Sequence, residues 1–398
     1  MTAPRVPLVR PDLGDAEVEA AARVIRSRWV TQGPEVAAFE EEFARAVSAR
    51  HAVAVSNCTV ALELSLRALG IGPGDDVVTA SHSFIATANA VLAAGARPVF
   101  ADVAEDTLGL DPASVEAAIT PRTKAILAVH QVGIPCAIEA ILAIARRRGL
   151  RVIEDAACAI GSEVRIEGRF ERVGRPHGDV ACFSFHPRKV VTTGDGGMIA
   201  TSDAELAKRL RLLRQHAMSI PDTVRHEATD VVIEEYLEPA WNYRLTDLQA
   251  AIGRPQLARL DGTIAERRRL AAVYVAALAA NPVLAPPSEP SWLRANWQSF
   301  PCRIRPGRAE QLPVLRALLA RGVAAKPGIM NAHEERAYAD RSRWAIGPTG
   351  LGVSERLRRE VVLLPLFHGM SPAEQDRVLE ACRALEEACR AFEKDGRP

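Results

Sequence analysis

Between His51 and Arg214 short apolar runs of strand length alternate with helix-length segments, and this alternation constrains the fold more than any other feature of the chain. Runs near 52–56, 76–80, 97–102, 124–129, 151–155, 180–185 and 197–201 read as strands. Between them, segments near 59–69, 84–94, 112–119, 136–148 and 203–214 have helical apolar spacing. Strands joined through helices run parallel, and strands apolar on both faces need helices covering both faces. The expected architecture is α/β, with a mostly parallel seven-stranded sheet.

Upstream, Asp15–Arg28 and Pro34–Ala46 carry helical spacing on either side of the break Thr31-Gln32-Gly33-Pro34. Downstream, the alternation stops at the polar stretch 222–235, which suits a loop. Thr246–Leu260 then reads as a long helix that Pro255 can kink. Strands at 298–304 and 361–364 mixed with helices at 309–321 and 372–394 indicate an α+β terminal part. A chain of 398 residues exceeds what one core usually organises. The expected division is an N-terminal arm with helices (1–50), a large ligand-binding domain (51–250) and a smaller C-terminal domain (251–398).

Composition narrows the function. A formal net charge of +1 gives no footprint for nucleic acid or a membrane surface. No segment approaches about 18 uninterrupted apolar residues, and Met1–Asp12 has no signal-peptide core, so a cytoplasmic protein is expected. Seven cysteines, an odd number without a Cys-x-x-Cys pair, argue against a disulfide framework. His177, Cys182 and His186 lie close in sequence, but no fourth ligand accompanies them and no metal is expected.

The chemistry gathers at strand ends. Leu150–Ala157 is apolar enough to be buried and delivers Asp155 at its carboxyl end, where a buried carboxylate needs a cation. Ala181–Phe185 carries Ser184, and Lys189 follows ahead of the glycine-rich Gly194-Asp195-Gly196-Gly197. A loop lysine is ordinarily a solvated surface group. In open α/β sheets, however, ligands bind beyond the carboxyl ends of strands, so Asp155 and Lys189 converge on one crevice. An aspartate facing a pyridinium nitrogen and a lysine forming a Schiff base are what a protein contributes to pyridoxal phosphate chemistry. Phosphate needs a seat too. Ser56 and Asn57 cap a helix whose first amides, at Cys58 and Thr59, would point at an anion, with Ser184 as a second donor.

Six motifs together resemble the DegT/DnrJ/StrS sugar aminotransferases, fold type I pyridoxal phosphate enzymes, over nearly the full chain. They are Ser56-Asn57-Cys58-Thr59 with Ala61-Leu62, Gly70-Ile71-Gly72-Pro73-Gly74-Asp75, Ala88-Asn89-Ala90-Val91, Glu154-Asp155-Ala156-Ala157, Ser184-Phe185-His186 with Lys189, and Asn242-Tyr243-Arg244. The resemblance implies Lys189 as Schiff-base lysine and base, with a depressed pKa from burial and the cationic ring. It implies Asp155 beneath the ring nitrogen and Phe84 stacked on the ring; the alternative for Phe84 is a core phenylalanine. Cys58, Thr59 and Ser184 would hold the phosphate, and Asn242 would reach it from the partner of a homodimer, leaving Arg244 for an anion or a surface carboxylate.

Three positions depart from the family. Cys158 stands where glutamine is usual near the ring hydroxyl, Cys58 replaces a glycine, and Asp195 replaces a glutamate. Lysine at 189, where some relatives carry histidine and dehydrate sugars, implies transamination. The implied reaction moves an amine from L-glutamate to a nucleotide-linked keto sugar; a keto-cyclitol acceptor, or regulation without turnover, are the alternatives. His216, His333 and the 222–235 loop are candidates for the acceptor side.

Overall fold

The computed structural model describes residues 5–220, 225–226 and 228–388. Helix α1 (Asp15–Ser27) begins where the Glu17 side chain caps the Gly14 N–H at 2.8 Å. Helix α2 (Pro34–Val47) begins at a proline, which has no N–H to leave unpaired in the first turn. Its Phe39 and Phe43 are fully buried, and the Phe43 ring meets that of Phe183 at 5.0 Å.

Then the alternation begins. It runs β1 (His51–Val55), α3 (Cys58–Ala68), β2 (Asp76–Ala80), α4 (Ala86–Ala93), β3 (Arg97–Ala101), α5 (Pro112–Ala118), β4 (Thr123–Val129), α6 (Ile138–Arg148) and β5 (Arg151–Asp155). A hairpin of β6 (Glu163–Ile166) and β7 (Arg169–Arg172) intervenes before β8 (Val180–Ser184), β9 (Gly197–Thr201) and α7 (Ala204–Leu213). After it come α8 (Asp247–Ala258), α9 (Leu260–Leu278), β10 (Leu284–Ala285), β11 (Leu293–Arg294), β12 (Phe300–Ile304) and α10 (Gln311–Ala320). The chain closes with β13 (Lys326–Pro327), β14 (Ala345–Ile346), α11 (Gly352–Glu360), β15 (Val361–Leu364) and α12 (Pro372–Arg383).

The main sheet has the order β1-β9-β8-β5-β4-β2-β3-β14. Pairs from β8 through β5, β4 and β2 to β3 are parallel, whereas β9 is antiparallel to both β8 and β1. That reversal has a local cause: β8 and β9 are joined by a loop rather than a helix, so the chain turns straight back, and this loop carries Lys189. The sheet has eight strands rather than the seven expected, because β14 adds to the edge, pairing Ala345 with Val99 and Ile346 with Phe100. Two residues show no period in a sequence. Buried apolar residues fill both faces of the sheet.

The downstream part holds a four-stranded sheet, β10-β12-β15-β13. The helix expected at 246–260 ends at Ala258, and α9 follows at once. This second helix was not expected, since its buried stripe places Thr263 and Arg267 among Leu260, Ile264, Leu270, Tyr274 and Leu278. Arg267 is satisfied by the carbonyls of Trp297, Gln298 and Leu366, so a cation occupies a core position. Residues 228–235 of the expected loop carry no helix or strand; 222–224 and 227 lie outside the described residues, as do 389–394 of the expected last helix. No helix among the described residues is long and apolar enough to cross a membrane.

Candidate active site

Strands β5 and β8 are parallel neighbours, and both end at the same edge of the sheet, with Asp155 opposite Cys182. Asp155 closes β5 and is 5% exposed. Its carboxylate accepts the Thr87 hydroxyl at 2.8 Å and the Ala157 N–H at 3.2 Å. Burial pushes its carboxyl above the ordinary aspartate value, against the pull of Thr87, Ala157 and the Lys189 charge. Asp155 is thus a buried carboxylate that remains short of positive charge.

Lys189 rides the loop between β8 and β9. The loop is pinned at its base, where Phe185 N–H donates to the Gly196 carbonyl at 2.9 Å and Thr193 N–H to the Phe185 carbonyl at 3.0 Å. The Lys189 Nζ donates to Cys158 Sγ at 3.0 Å. Burial draws the ammonium down, but the Cys158 sulfur and the Asp155 carboxylate more than offset it, so the pKa lies above the ordinary lysine value. The protein's own groups favour the ammonium, so the depression expected for Lys189 depends on the ring's positive charge.

The third component is the start of α3. Asn57 Oδ1 accepts the Val60 N–H at 3.0 Å, while the first-turn amides of Cys58 and Thr59 find no acceptor among the described residues. Burial raises the Cys58 thiol well above its ordinary pKa, so its side chain stays neutral beside those amides. Ser184 is half-buried; its oxygen accepts the His186 N–H at 3.4 Å.

Gly197 at the start of β9 backs this turn, and a Cβ there would lie 2.5 Å from the Asn57 carbonyl carbon and 2.9 Å from the Cys58 nitrogen. Neither backbone atom can yield as a side chain does. Gly197→Ala is therefore expected to displace the α3 turn and to weaken phosphate-dependent cofactor binding about tenfold or more, measured by fluorescence titration.

Phe84 is 69% exposed, which corrects the core reading and leaves its ring free to cover a ligand. Asn242 is exposed, and its Oδ1 accepts the Arg244 N–H at 3.3 Å; among the described residues it forms no hydrogen bond with Lys189, Cys158 or Asp155 of its own chain. His333 is occupied, its Nδ1 2.7 Å from Ser81 Oγ and its Nε2 3.5 Å from Glu355. His216 is exposed with a left-handed φ of 61°. The exposed Asp195 contributes its carbonyl, which accepts Gln249 Nε2 at 2.8 Å. His177 is paired with Glu154 and Glu171, and Cys182 Sγ lies 3.4 Å from Ser65 Oγ.

Sequence reasoning missed Thr87, which reaches Asp155 because the fold brings the first turn of α4 to the end of β5. It also missed Asn296, whose side chain donates to the Cys158 carbonyl at 2.9 Å and so holds the partner of Lys189. The only signal for Thr87 was its place one turn after Phe84.

These groups are an anion seat of free amides, a buried carboxylate short of a cation, an amine and an exposed aromatic ring. They match the phosphate, basic ring nitrogen, aldehyde and flat face of pyridoxal phosphate. Comparison with known proteins agrees. The sequence profile of the DegT/DnrJ/EryC1/StrS aminotransferase family matches residues 11–383. Among solved structures, DesV of S. venezuelae is 38% identical, with 97% of this chain and 99% of that chain covered and a TM-score of 0.85. The aminotransferase TlmJ of Streptoalloteichus hindustanus is 34% identical, with 96% and 99% covered and a TM-score of 0.86. A family aminotransferase of Brucella abortus is 32% identical, with 94% and 95% covered and a TM-score of 0.83. The chain belongs to the DegT/DnrJ/EryC1/StrS aminotransferase family and is a pyridoxal-phosphate-dependent aminotransferase.

Proposed function

We propose that the chain moves an amino group from L-glutamate to a nucleotide-linked keto sugar, with Lys189 and Asp155 as its catalytic residues. The observation that carries the reading is the convergence of Lys189, Asp155 and the α3 turn at one end of the main sheet, with lysine rather than histidine at 189. Pyridoxal phosphate, when bound, supplies a carbonyl that amines attack and a cationic ring that draws off the electrons of a breaking C–H bond.

The protein's groups do the rest. The Cys58 and Thr59 amides, the Thr59 hydroxyl and Ser184 bind the phosphate, with the helix dipole adding attraction. Asp155 keeps the ring nitrogen protonated. Phe84 would cover one face of the ring, and Cys158 holds the Lys189 Nζ. Once the ring charge lies nearby, Lys189 is neutral enough to take the proton from the donor's α-carbon; in the second half-reaction it delivers a proton to the acceptor carbon that gains nitrogen.

Asn242 completes the site from a second copy of the chain. The segment leading to it exposes Val231, Ile233, Tyr236, Leu237 and Trp241, between 85% and 48% each, a concentration that fits an interface. A fully active monomer in sedimentation would contradict this role.

The function is tested by loading the protein with pyridoxamine phosphate and mixing it with nucleotide-linked keto sugars, free keto sugars and keto-cyclitols. The expected result is a return of yellow colour with nucleotide-linked sugars and bleaching when L-glutamate is added. Colour returning with keto-cyclitols alone would replace the acceptor.

A further inference from the structure

The segment preceding β12 clamps the four-stranded sheet onto the Lys189 loop. Gln298 Nε2 donates to the Arg188 carbonyl at 2.7 Å, Asn296 Nδ2 donates to the carbonyls of Cys158 and Ile160 at 2.9 Å each, and Arg267 fixes the carbonyls of Trp297 and Gln298 from behind. At the edge of that sheet β13 pairs Lys326 with Leu363 of β15. Pro301, three residues after Gln298, faces Leu363 of β15, and Leu363 faces Lys326, so the strand register sets Lys326 beside the clamp, where its ammonium feels the charges of Arg188 and Lys189. Three cations therefore share one corner. Among the described residues, none of the three forms an ion pair with an aspartate or glutamate.

We propose that Lys326 and Arg188 form the seat of the amino donor's α-carboxylate. The proposal rests on the reading that the donor is an α-amino acid, and it names the part of that same site which recognises it. Lys189 has Asp155 within electrostatic reach, whereas Lys326 and Arg188 face no aspartate or glutamate partner among the described residues, so an arriving carboxylate relieves the repulsion between them. Burial, together with the Arg188 and Lys189 charges and against the Cys158 sulfur, already pulls the Lys326 ammonium down to about 8.

Position selects the anion. The donor nitrogen must reach the cofactor carbon that Lys189 serves, and its carboxylate carbon lies only about 2.5 Å from that nitrogen, two bonds away. The diphosphate of a nucleotide sugar is held off from the reacting carbon by the sugar ring. A seat beside Lys189 therefore suits the carboxylate. Lysine and arginine contribute differently to it, because the arginine fork fixes orientation and the lysine supplies a compact charge.

The test uses cofactor-loaded, full-length protein and calorimetry with two amines. The first is α-methyl-L-glutamate, which has no α-hydrogen; the second is 4-aminopentanoate, which carries no α-carboxylate. Wild type is expected to prefer the first, and Lys326→Met to weaken it about 10- to 100-fold while leaving 4-aminopentanoate unchanged. Arg188→Met is expected to behave alike, with Arg188→Lys retaining part of the preference. An unaltered visible spectrum and unaltered UDP binding mark the variants as folded and loaded.

Equal losses for both amines, or a loss confined to UDP, would overturn the seat; the latter would assign the cations to the acceptor's diphosphate. Wild type that transfers amine from L-glutamate yet binds both amines equally would also overturn it while leaving transamination intact.

Discussion

Replacing Lys189 with alanine is expected to slow amine transfer about 1,000-fold or more while the fold and phosphate binding survive. The side chain lies in a loop pinned by hydrogen bonds that do not involve it, backbone ones at Phe185 and Thr193 and one from the Thr192 hydroxyl to the Phe185 carbonyl at 2.9 Å. Its loss removes an amine and one bond to Cys158 Sγ, not a core contact. The α3 turn and Ser184 stay in place, so the phosphate still binds.

Two controls separate proton transfer from charge. Lys189→Arg keeps a cation but cannot become neutral at working pH, and should be nearly as inactive as alanine. Added methylamine or ethylamine, small enough for the space that alanine leaves, should restore part of the rate of Lys189→Ala. Stopped-flow absorbance checks both outcomes; activity of Lys189→Ala within tenfold of wild type would remove the assigned base.

Asp155→Asn carries the second large effect. Asp155 sits at a β-strand end, buried, with Thr87 and Ala157 satisfying part of its carboxylate and, among the described residues, no cation in an ion pair with it. Burial comes first in setting its raised pKa, so a bound cation gains by pulling the carboxyl back to its ionised form. Removing one partner of a buried charge pair costs about 3–5 kcal/mol, so cofactor affinity should fall about 100- to 1,000-fold or further.

The sign with pH follows from the direction of the shift. The carboxyl is held above the ordinary aspartate value of 3.8, so acidification neutralises it earlier than a free aspartate. Cofactor affinity of the wild type should therefore fall as pH drops through that raised pKa. Asp155→Asn, with no proton to bind, should show a flat affinity over the same range. Dialysis with absorbance readout at several pH values measures both. A matching fall in the variant would assign the acid sensitivity to another group.

The legible parts of the fold were those whose pattern is local. Strands β4 and β5 are apolar on both faces, so their boundaries could be read within about two residues. Asp155 and Lys189 stand at or beyond strand ends, where the α/β rule places ligands whatever the exact register. The missed features depend on distance along the chain. Thr87 reaches Asp155 across 68 positions, and Gln298 reaches Arg188 across 110. Helix α9 hid its period behind buried Arg267, whose compensation by three carbonyls exists only once the chain is folded. Lys326 sits on a two-residue strand defined wholly by its pairing with β15.

Lys189 as the residue that holds the cofactor is the claim on which all these roles depend. The chain's other lysines are Lys124, Lys208, Lys326 and Lys394, and Lys326 is near enough to be a genuine rival. Borohydride reduction of the yellow protein, followed by digestion and peptide mass mapping, decides between them. The account predicts a single pyridoxyl mass adduct on the peptide containing Lys189. An adduct on Lys326 or any other lysine, or none on a protein that still transfers amine, would contradict it.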